Sequence, residues 1–305
     1  MLHDTGYRFK KSLGQHFLKS EKVLDDIVAA AQIKKEDTIF EIGSGTGNLT
    51  KKLLASPARE IIAVEKDDVL FAQLQNTFKS QRLKLIHSDA LVLIPDLVAE
   101  SPLKVVANLP YNIASPAIIS LLSVCPTLPE IMVIMLQKEV AERLVAQPGD
   151  SNRGLLTVFL ELFGEAKIVE RVNKGCFRPI PEVDSAVVKI AIRPCAEDSP
   201  SQDEITGLFQ RTVLCTELAK HALRILKAAF GAKRKKIRNS LFKSYVISSL
   251  PAGEAGDSEK SRHFTLQEAS KIAEKCGFSL DQRPEELTRD QWLKLIHTLS
   301  SSSRM

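Results

Sequence analysis

Five short β-rich runs, at residues 38–42, 61–65, 83–87, 103–108 and 130–136, each end in a turn signal and give way to a helix-like stretch. No other feature constrains the fold as much. Strand followed by helix, repeated, predicts a mostly parallel sheet covered on both faces, because each parallel crossover carries a helix that packs back onto the sheet. Before the first run, Val23, Leu24, Ile27, Val28 and Ala31 recur at helical spacing behind a Ser20 cap. Two later runs, 166–172 and 185–192, have no helical pattern between them. They are expected to finish the sheet as an antiparallel hairpin joined by the Pro-containing stretch at 177–181.

The pattern changes near Arg193. Residues 194–201 form a polar, Pro-containing linker, and beyond it only helical periodicity remains, at 205–214, 218–230, 237–245, 266–276 and 286–299. A loop at 251–261, rich in Gly, Ser and acids, is expected to be exposed. The chain of 305 residues is thus expected to divide into an α/β domain at 1–193 and a small all-α domain at 194–305. Hydrophobic residues at 44% and charged residues at 26% exclude a disordered, collagen-like or coiled-coil chain. The longest apolar run, 131–136, is far short of the roughly 20 residues a membrane span needs, and suits a buried strand. The basic N-terminal tract has no apolar core of a secretory signal, so a cytoplasmic location is expected. Five scattered cysteines, odd in number and without a C-x-x-C pair, argue against a disulfide framework and a metal site.

The net charge of +5 conceals a sharp asymmetry. Lys220, Arg224, Lys227, Lys233, Arg234, Lys235, Lys236, Arg238 and Lys243 fall within 24 residues that contain no acid. That segment carries +9 and the remainder of the chain is slightly acidic. It is either a solvated helical face or a polyanion-binding patch.

The first strand runs into EIGSGTGNLT at 41–50, where Gly43, Gly45 and Gly47 form a tight strand-to-helix turn that lets a ligand approach the backbone and aims a helix N-terminus at it. The second strand ends in Glu65, about 20 residues on, where an acid can accept from both ribose hydroxyls. The spacing is G-x-G-x-G, not the G-x-G-x-x-G of a pyrophosphate-binding turn, so a dinucleotide oxidoreductase is a poorer fit. The turn resembles motif I of S-adenosylmethionine-dependent methyltransferases. In that family an acid at the position of Asp89 bonds the adenine amine, although Asp89 could equally cap the next helix. The fourth strand ends in NLPY, Asn108 to Tyr111, which resembles the [DNS]-P-P-[YFW] signature of enzymes that methylate amino groups conjugated to a planar ring.

The chemistry accounts for those residue types. An adenine amine is a poor nucleophile because its lone pair is delocalised, so it needs alignment and help in becoming tetrahedral. Asn108 can offer its side-chain carbonyl and Leu109 its backbone carbonyl to the amine hydrogens. Pro110 fixes the turn and removes a competing N–H donor. Tyr111 can stack on an extruded base. No strong general base is required, and no catalytic His or Cys arrangement is evident.

Across the chain, SLGQHFL at 12–18, VEKD at 64–67, HSDA at 87–90, NLPYNIAS at 108–115, MLQKEVAERL at 135–144, CFRPIPEVDSAV at 176–187, FGAKRKKIRNSL at 230–241 and RPEELT at 283–288 follow in the order of the rRNA adenine N6,N6-dimethyltransferase family, small-subunit type. The resemblance implies a Rossmann-like, seven-stranded methyltransferase domain using S-adenosylmethionine, followed by a helical domain that engages rRNA. It implies cofactor contacts from Gln15, His16, Leu18, Gly43, Gly45, Glu65, Lys66, Asp89, Ala90 and Asn108. Phe177 would sandwich the target adenine with Tyr111, its alternative being a core phenylalanine. The implied target is two adjacent adenosines in the loop of the 3′-terminal helix of small-subunit rRNA, dimethylated by a monomer during subunit biogenesis.

The basic segment would then neutralise rRNA phosphates, with Arg8, Lys10, Lys11 and Lys19 adding a second contact. His16 and Ser44 stand where the family more often has Asn and Pro, which alters cofactor contacts slightly. NLPY replaces a twin-proline form and suits a pocket that accepts an already methylated amine. Two rivals are a large-subunit rRNA adenine methyltransferase and a non-catalytic RNA- or DNA-binding factor on the same fold.

Overall fold

The computed structural model describes residues 14–110, 112–193, 212–232, 235–244, 246–247 and 262–302. Tyr111, Lys233, Arg234, the basic residues before Gly14, the linker at 194–201 and the loop at 251–261 lie outside the described residues. Contacts divide the chain into two compact units, Met1–Val145 with Gly164–Pro194, and Ala146–Phe163 with Cys195–Met305. A boundary at Arg193 keeps Ala146–Phe163 in the α/β domain, whereas the contacts put that stretch with the helical unit.

In the first unit the elements run β1 (Phe17–Leu18), α1 (Glu21–Ala31), β2 (Thr38–Ile42), α2 (Asn48–Ala55), β3 (Glu60–Glu65), α3 (Asp68–Thr77), β4 (Leu83–His87), α4 (Ala90–Leu93), β5 (Leu103–Asn108), α5 (Ala114–Ser123), β6 (Ile131–Gln137) and α6 (Lys138–Leu144). After α7 (Leu155–Phe163), which belongs to the second unit, come β7 (Gly164–Val172), β8 (Phe177–Arg178) and β9 (Ser185–Ile192). Seven strands form one sheet in the order β4-β3-β2-β5-β6-β9-β7, parallel through β6 and antiparallel at β9 and β7. The last two strands pair as expected. They do not simply extend the edge, however, because β9 inserts between β6 and β7.

All five residues of β2 are buried, as a central parallel strand covered on both faces requires. Helix α1 begins where Ser20 Oγ accepts from the Val23 amide at 3.5 Å, and it buries Val23, Leu24, Ile27 and Ala31 against Ile39, Val106 and Val133. At the amino ends of β2 and β5, Lys104 and Asp37 form an ion pair at 2.7 Å that is almost wholly enclosed. The Lys104 ammonium also donates to the Gln32 carbonyl at 2.6 Å, so the buried cation has more than one acceptor.

The second unit is built from α8 (Thr212–Phe230), α9 (Ile237–Ser244), α10 (Leu266–Cys276) and α11 (Arg289–Ser302), and the buried Trp292 indole stacks on Phe230 with centroids 6.0 Å apart. Helix α7 packs against α8 and α11. The connection is reinforced by Arg153, which is bonded through both arms to the Glu161 carboxylate and donates to the carbonyls of Glu285 at 2.9 Å and Leu287 at 2.7 Å. Thr265 and Glu268 form a reciprocal cap on α10. No helix among the described residues is long and apolar enough to cross a membrane.

Candidate active site and nucleic-acid interface

Strand order reverses between β2 and β5: successive strands leave β2 toward β3 and β4, then return beside it as β5 and β6. Ligands of open α/β sheets bind outside the carboxyl ends of strands at such a point. A cleft lies there, lined by the turn after β2, the ends of β3 and β5, and the segment after β4. Its walls include Gln15, His16, Leu18, Gly43, Gly45, Glu65, Lys66, Asp89, Ala90, Asn108, Leu109 and Pro110. Thus every described residue expected to touch the cofactor is drawn together at one opening.

The Gly-rich turn is held from two sides. Gly45 has φ +57°, and a Cβ on it would stand 3.0 Å from the Phe17 ring, so both its conformation and the close cover of Phe17 require glycine. Glu65 Oε2 accepts the Gly45 amide at 2.7 Å, while Oε1 accepts the amides of Lys66 and Asp67, each at 2.8 Å. Three backbone donors therefore hold this carboxylate at the end of β3. Asp89 does two jobs at once. Its Oδ1 caps α4 through the Leu91 amide at 2.9 Å, and its Oδ2 accepts the Lys66 ammonium at 2.8 Å. The Lys66 bond holds its carboxyl below the usual range, and Asp89 both caps α4 and lines the cleft.

Across the cleft, Gly14–Leu18 forms a strap. Phe17 and Leu18 pair with Arg178 and Phe177 as a two-stranded ribbon. Asn48 Nδ2 donates to the Leu18 carbonyl at 2.9 Å, and Gln15 Nε2 donates to Asp67 Oδ2 at 3.4 Å. Asn108 Nδ2 donates to the His16 carbonyl at 3.3 Å. A carbonyl only accepts, so this bond fixes the amide orientation and leaves Asn108 Oδ1 as the acceptor for an incoming amine. Leu109 is buried, and the turn after it closes through the Ile113 amide on the Pro110 carbonyl at 3.1 Å.

Phe177 is 1% exposed and packed in the core with Leu18, Val172 and Val187, as its core alternative has it, and it is absent from the cleft walls. The pairing of β8 with β1 holds its backbone beneath the strap.

Glu41, the first residue of the glycine motif, escaped the sequence reading. It is wholly buried on β2 and accepts the hydroxyls of Thr50 at 2.7 Å and Ser44 at 3.3 Å, while its Oε1 has no hydrogen-bond partner among the described residues. Burial pushes its carboxyl up to about 7 despite those hydroxyls. The acid at the head of the motif was the available signal. Its burial follows from the central position of β2, which pattern alone did not give.

In the second unit, Lys220, Arg224 and Lys227 lie at helical spacing on the exposed face of α8, opposite the buried Ala222, Ile225, Leu226 and Ala229. His221, between them, is pushed down to about 4 by burial and by Arg224, so the stripe keeps a constant charge near neutrality. Lys235, Lys236 and Arg238 are also exposed, but Asp281 accepts from both Lys236 and Arg238 at 3.0 Å.

A doubly wound sheet with this strand order, a glycine turn after its first long strand and acids closing the next two is the fold of the S-adenosylmethionine-dependent methyltransferases. Within that class, the chain belongs to the ribosomal RNA adenine dimethylase family, whose model it matches over residues 6–250. It is 36% identical over 308 residues to a ribosomal RNA small subunit methyltransferase A of Prochlorococcus marinus, with 99% of this chain and 94% of the relative covered. A dimethyladenosine transferase from Plasmodium falciparum superposes with TM-score 0.69 at 28% identity, covering 93% of this chain and 98% of that one. The 23S rRNA methyltransferase ErmE, at 21% identity and TM-score 0.59 over 93% of this chain and 99% of its own, shares the fold.

The pocket's chemistry fits the cofactor of this class. Three backbone bonds leave Glu65 with lone-pair capacity for hydroxyl donors, Asp89 adds a second carboxylate acceptor to the wall, and Leu18, Val64, Ala90 and Ile113 supply apolar wall.

Proposed function

We propose that this chain dimethylates the exocyclic amines of two adjacent adenosines in the loop of the 3′-terminal helix of small-subunit rRNA, working as a cytoplasmic monomer on the assembling subunit. The observation that carries the reading is the Asn108 amide at the carboxyl end of β5, locked by the His16 carbonyl beside a cleft closed by Glu65 and Asp89.

S-adenosylmethionine, when bound, supplies a methyl group activated by the positive sulfur. Glu65 holds the ribose, and Asp89, kept ionised by Lys66, holds the adenine of the cofactor. Asn108 Oδ1 and the Leu109 carbonyl accept the two hydrogens of the target amine, turning its lone pair toward the methyl carbon. The released proton passes to solvent. After the first transfer one amine hydrogen remains, and one of the two acceptors suffices to align it. The exposed cations of α8 and α9 neutralise rRNA phosphates and supply affinity with little base information.

Purified small and large subunits lacking adenine methylation, incubated with tritiated cofactor, test the reading. Label in the small-subunit rRNA as N6,N6-dimethyladenosine is expected. Label confined to the large subunit, or a strictly monomethylated product, would overturn it.

A further inference from the structure

The antiparallel strand β9 begins at Ser185 opposite Gln137, at the carboxyl end of β6, where β5 also ends with Asn108 opposite Met135. The segment joining β8 to β9 therefore lies at the same sheet edge as the cleft. It is tied to the strap directly, because His16 Nδ1 lies 2.9 Å from the Pro179 carbonyl. As that oxygen only accepts, Nδ1 carries the proton. Proline on either side stiffens the segment, with Pro181 buried and Pro179 half-buried.

Between these two prolines Ile180 is 65% exposed, and Val183, three residues on, is 45% exposed. The other large exposed apolar side chains among the described residues, Val69, Val92, Val98, Val169 and Leu266, sit on other segments. An aliphatic side chain held out by flanking prolines gains nothing for folding, since it buries little apolar surface. Arg178, just before it, is exposed as well, and the Lys174 ammonium lies 3.4 Å from the backbone carbonyl of Glu182, so cations flank a segment that itself carries Glu182 and Asp184.

We propose that Ile180 is a wedge that enters the rRNA stack beside the target adenosine and fills the space the base leaves when it turns into the cleft. The inference rests on the adenosine-methylating reading above and adds the element that works on the RNA instead of on the amine. A base inside a stacked loop must be unstacked before its amine can meet Asn108, at a cost of a few kcal/mol, and proteins that unstack bases commonly insert an aliphatic side chain at the vacated step. The wedge and the amine acceptors are linked through one residue, since His16 bonds Asn108 through its carbonyl and Pro179 through its ring.

The test compares wild type with Ile180→Ala and Ile180→Met on a hairpin RNA bearing the adjacent adenosines and on a short unstructured RNA of the same loop sequence. A second hairpin carries 2-aminopurine at the target position, whose fluorescence rises when it leaves the stack. Ile180→Ala is expected to lose about tenfold in methylation of the hairpin and most of the fluorescence rise, with little change on the unstructured RNA and rescue by Ile180→Met. Equal losses on both RNAs, or no loss on either, overturn the wedge, and so does a fluorescence rise in Ile180→Ala equal to that of wild type. An enzyme that methylates none of these RNAs or subunits fails the assigned reaction instead, while the fluorescence comparison still decides the wedge.

Discussion

The cleft at the sheet edge and the basic face of the helical unit hold their charges in opposite ways. At the cleft, Glu65 is fixed by three backbone amides and Asn108 by a backbone carbonyl, so each polar atom has one orientation. On α8 the cations of Lys220, Arg224 and Lys227 project into solvent at helical spacing. The first arrangement is suited to geometry, where an ångström matters, and the second to neutralising a polyanion whose phosphates can be met in several ways. Substitutions should therefore damage different quantities in the two regions.

The largest effect is expected at the cleft. Asn108→Ala removes the oriented acceptor and should cut the transfer rate by about 100-fold or more while leaving rRNA affinity near wild type, as rapid-quench and filter-binding measurements would show. A rate loss below fivefold would mean that orientation is not what this edge contributes.

Next in size is the buried acid beneath the glycine turn. Glu41 has its carboxyl raised to about 7 in the folded chain against an ordinary 4.5, so between those values the folded state holds a proton that the unfolded state has lost. Stability should accordingly fall as pH rises through that window and level off above it, by up to about 3 kcal/mol. Glu41→Gln keeps an acceptor for Thr50 and Ser44 without the charge. Its thermal midpoint should match wild type near pH 5 and exceed it by several degrees near pH 8, whereas parallel curves would contradict the assignment.

At the basic face, replacing Lys220, Arg224 and Lys227 together by Ala should weaken small-subunit binding by about tenfold and lower the slope of log K against log salt by about 2. An unchanged salt slope would remove this face from the RNA interface. The smallest effect is expected at Asp281, which pairs with Lys236 and Arg238 and would compete with any phosphate for them. Asp281→Asn should tighten binding by no more than about threefold, since exposed ion pairs are weak. Weaker binding would show that Asp281 orients these cations for the RNA instead of competing for them.

The same contrast explains what could be read from the sequence. Glu65 and Asn108 end β-rich runs and Asp89 lies just past one, so alternation and turn chemistry place them at one sheet edge without knowledge of the packing. Strands β2, β4 and β5 came out with their observed limits for that reason. The strap did not, because Phe17–Leu18 and Phe177–Arg178 are two-residue strands with no periodicity to detect, and their pairing is what holds Phe177 beneath the strap. The placement of Ala146–Phe163 was hidden as well. It depends on Arg153 reaching carbonyls more than 130 residues away in sequence, at Glu285 and Leu287. The basic cluster was visible as composition, but the commitment of Lys236 and Arg238 to Asp281 required the fold.

Single-turnover methyl transfer, measured against small-subunit concentration for Asn108→Ala and for the Lys220, Arg224 and Lys227 triple-alanine variant, separates the two regions most directly. The asparagine variant should show a lowered plateau at an unchanged half-saturation point, and the triple variant a shifted half-saturation point that recovers the wild-type plateau. A plateau lost in the triple variant and a shifted midpoint in Asn108→Ala would contradict the division of geometry and charge between cleft and basic face.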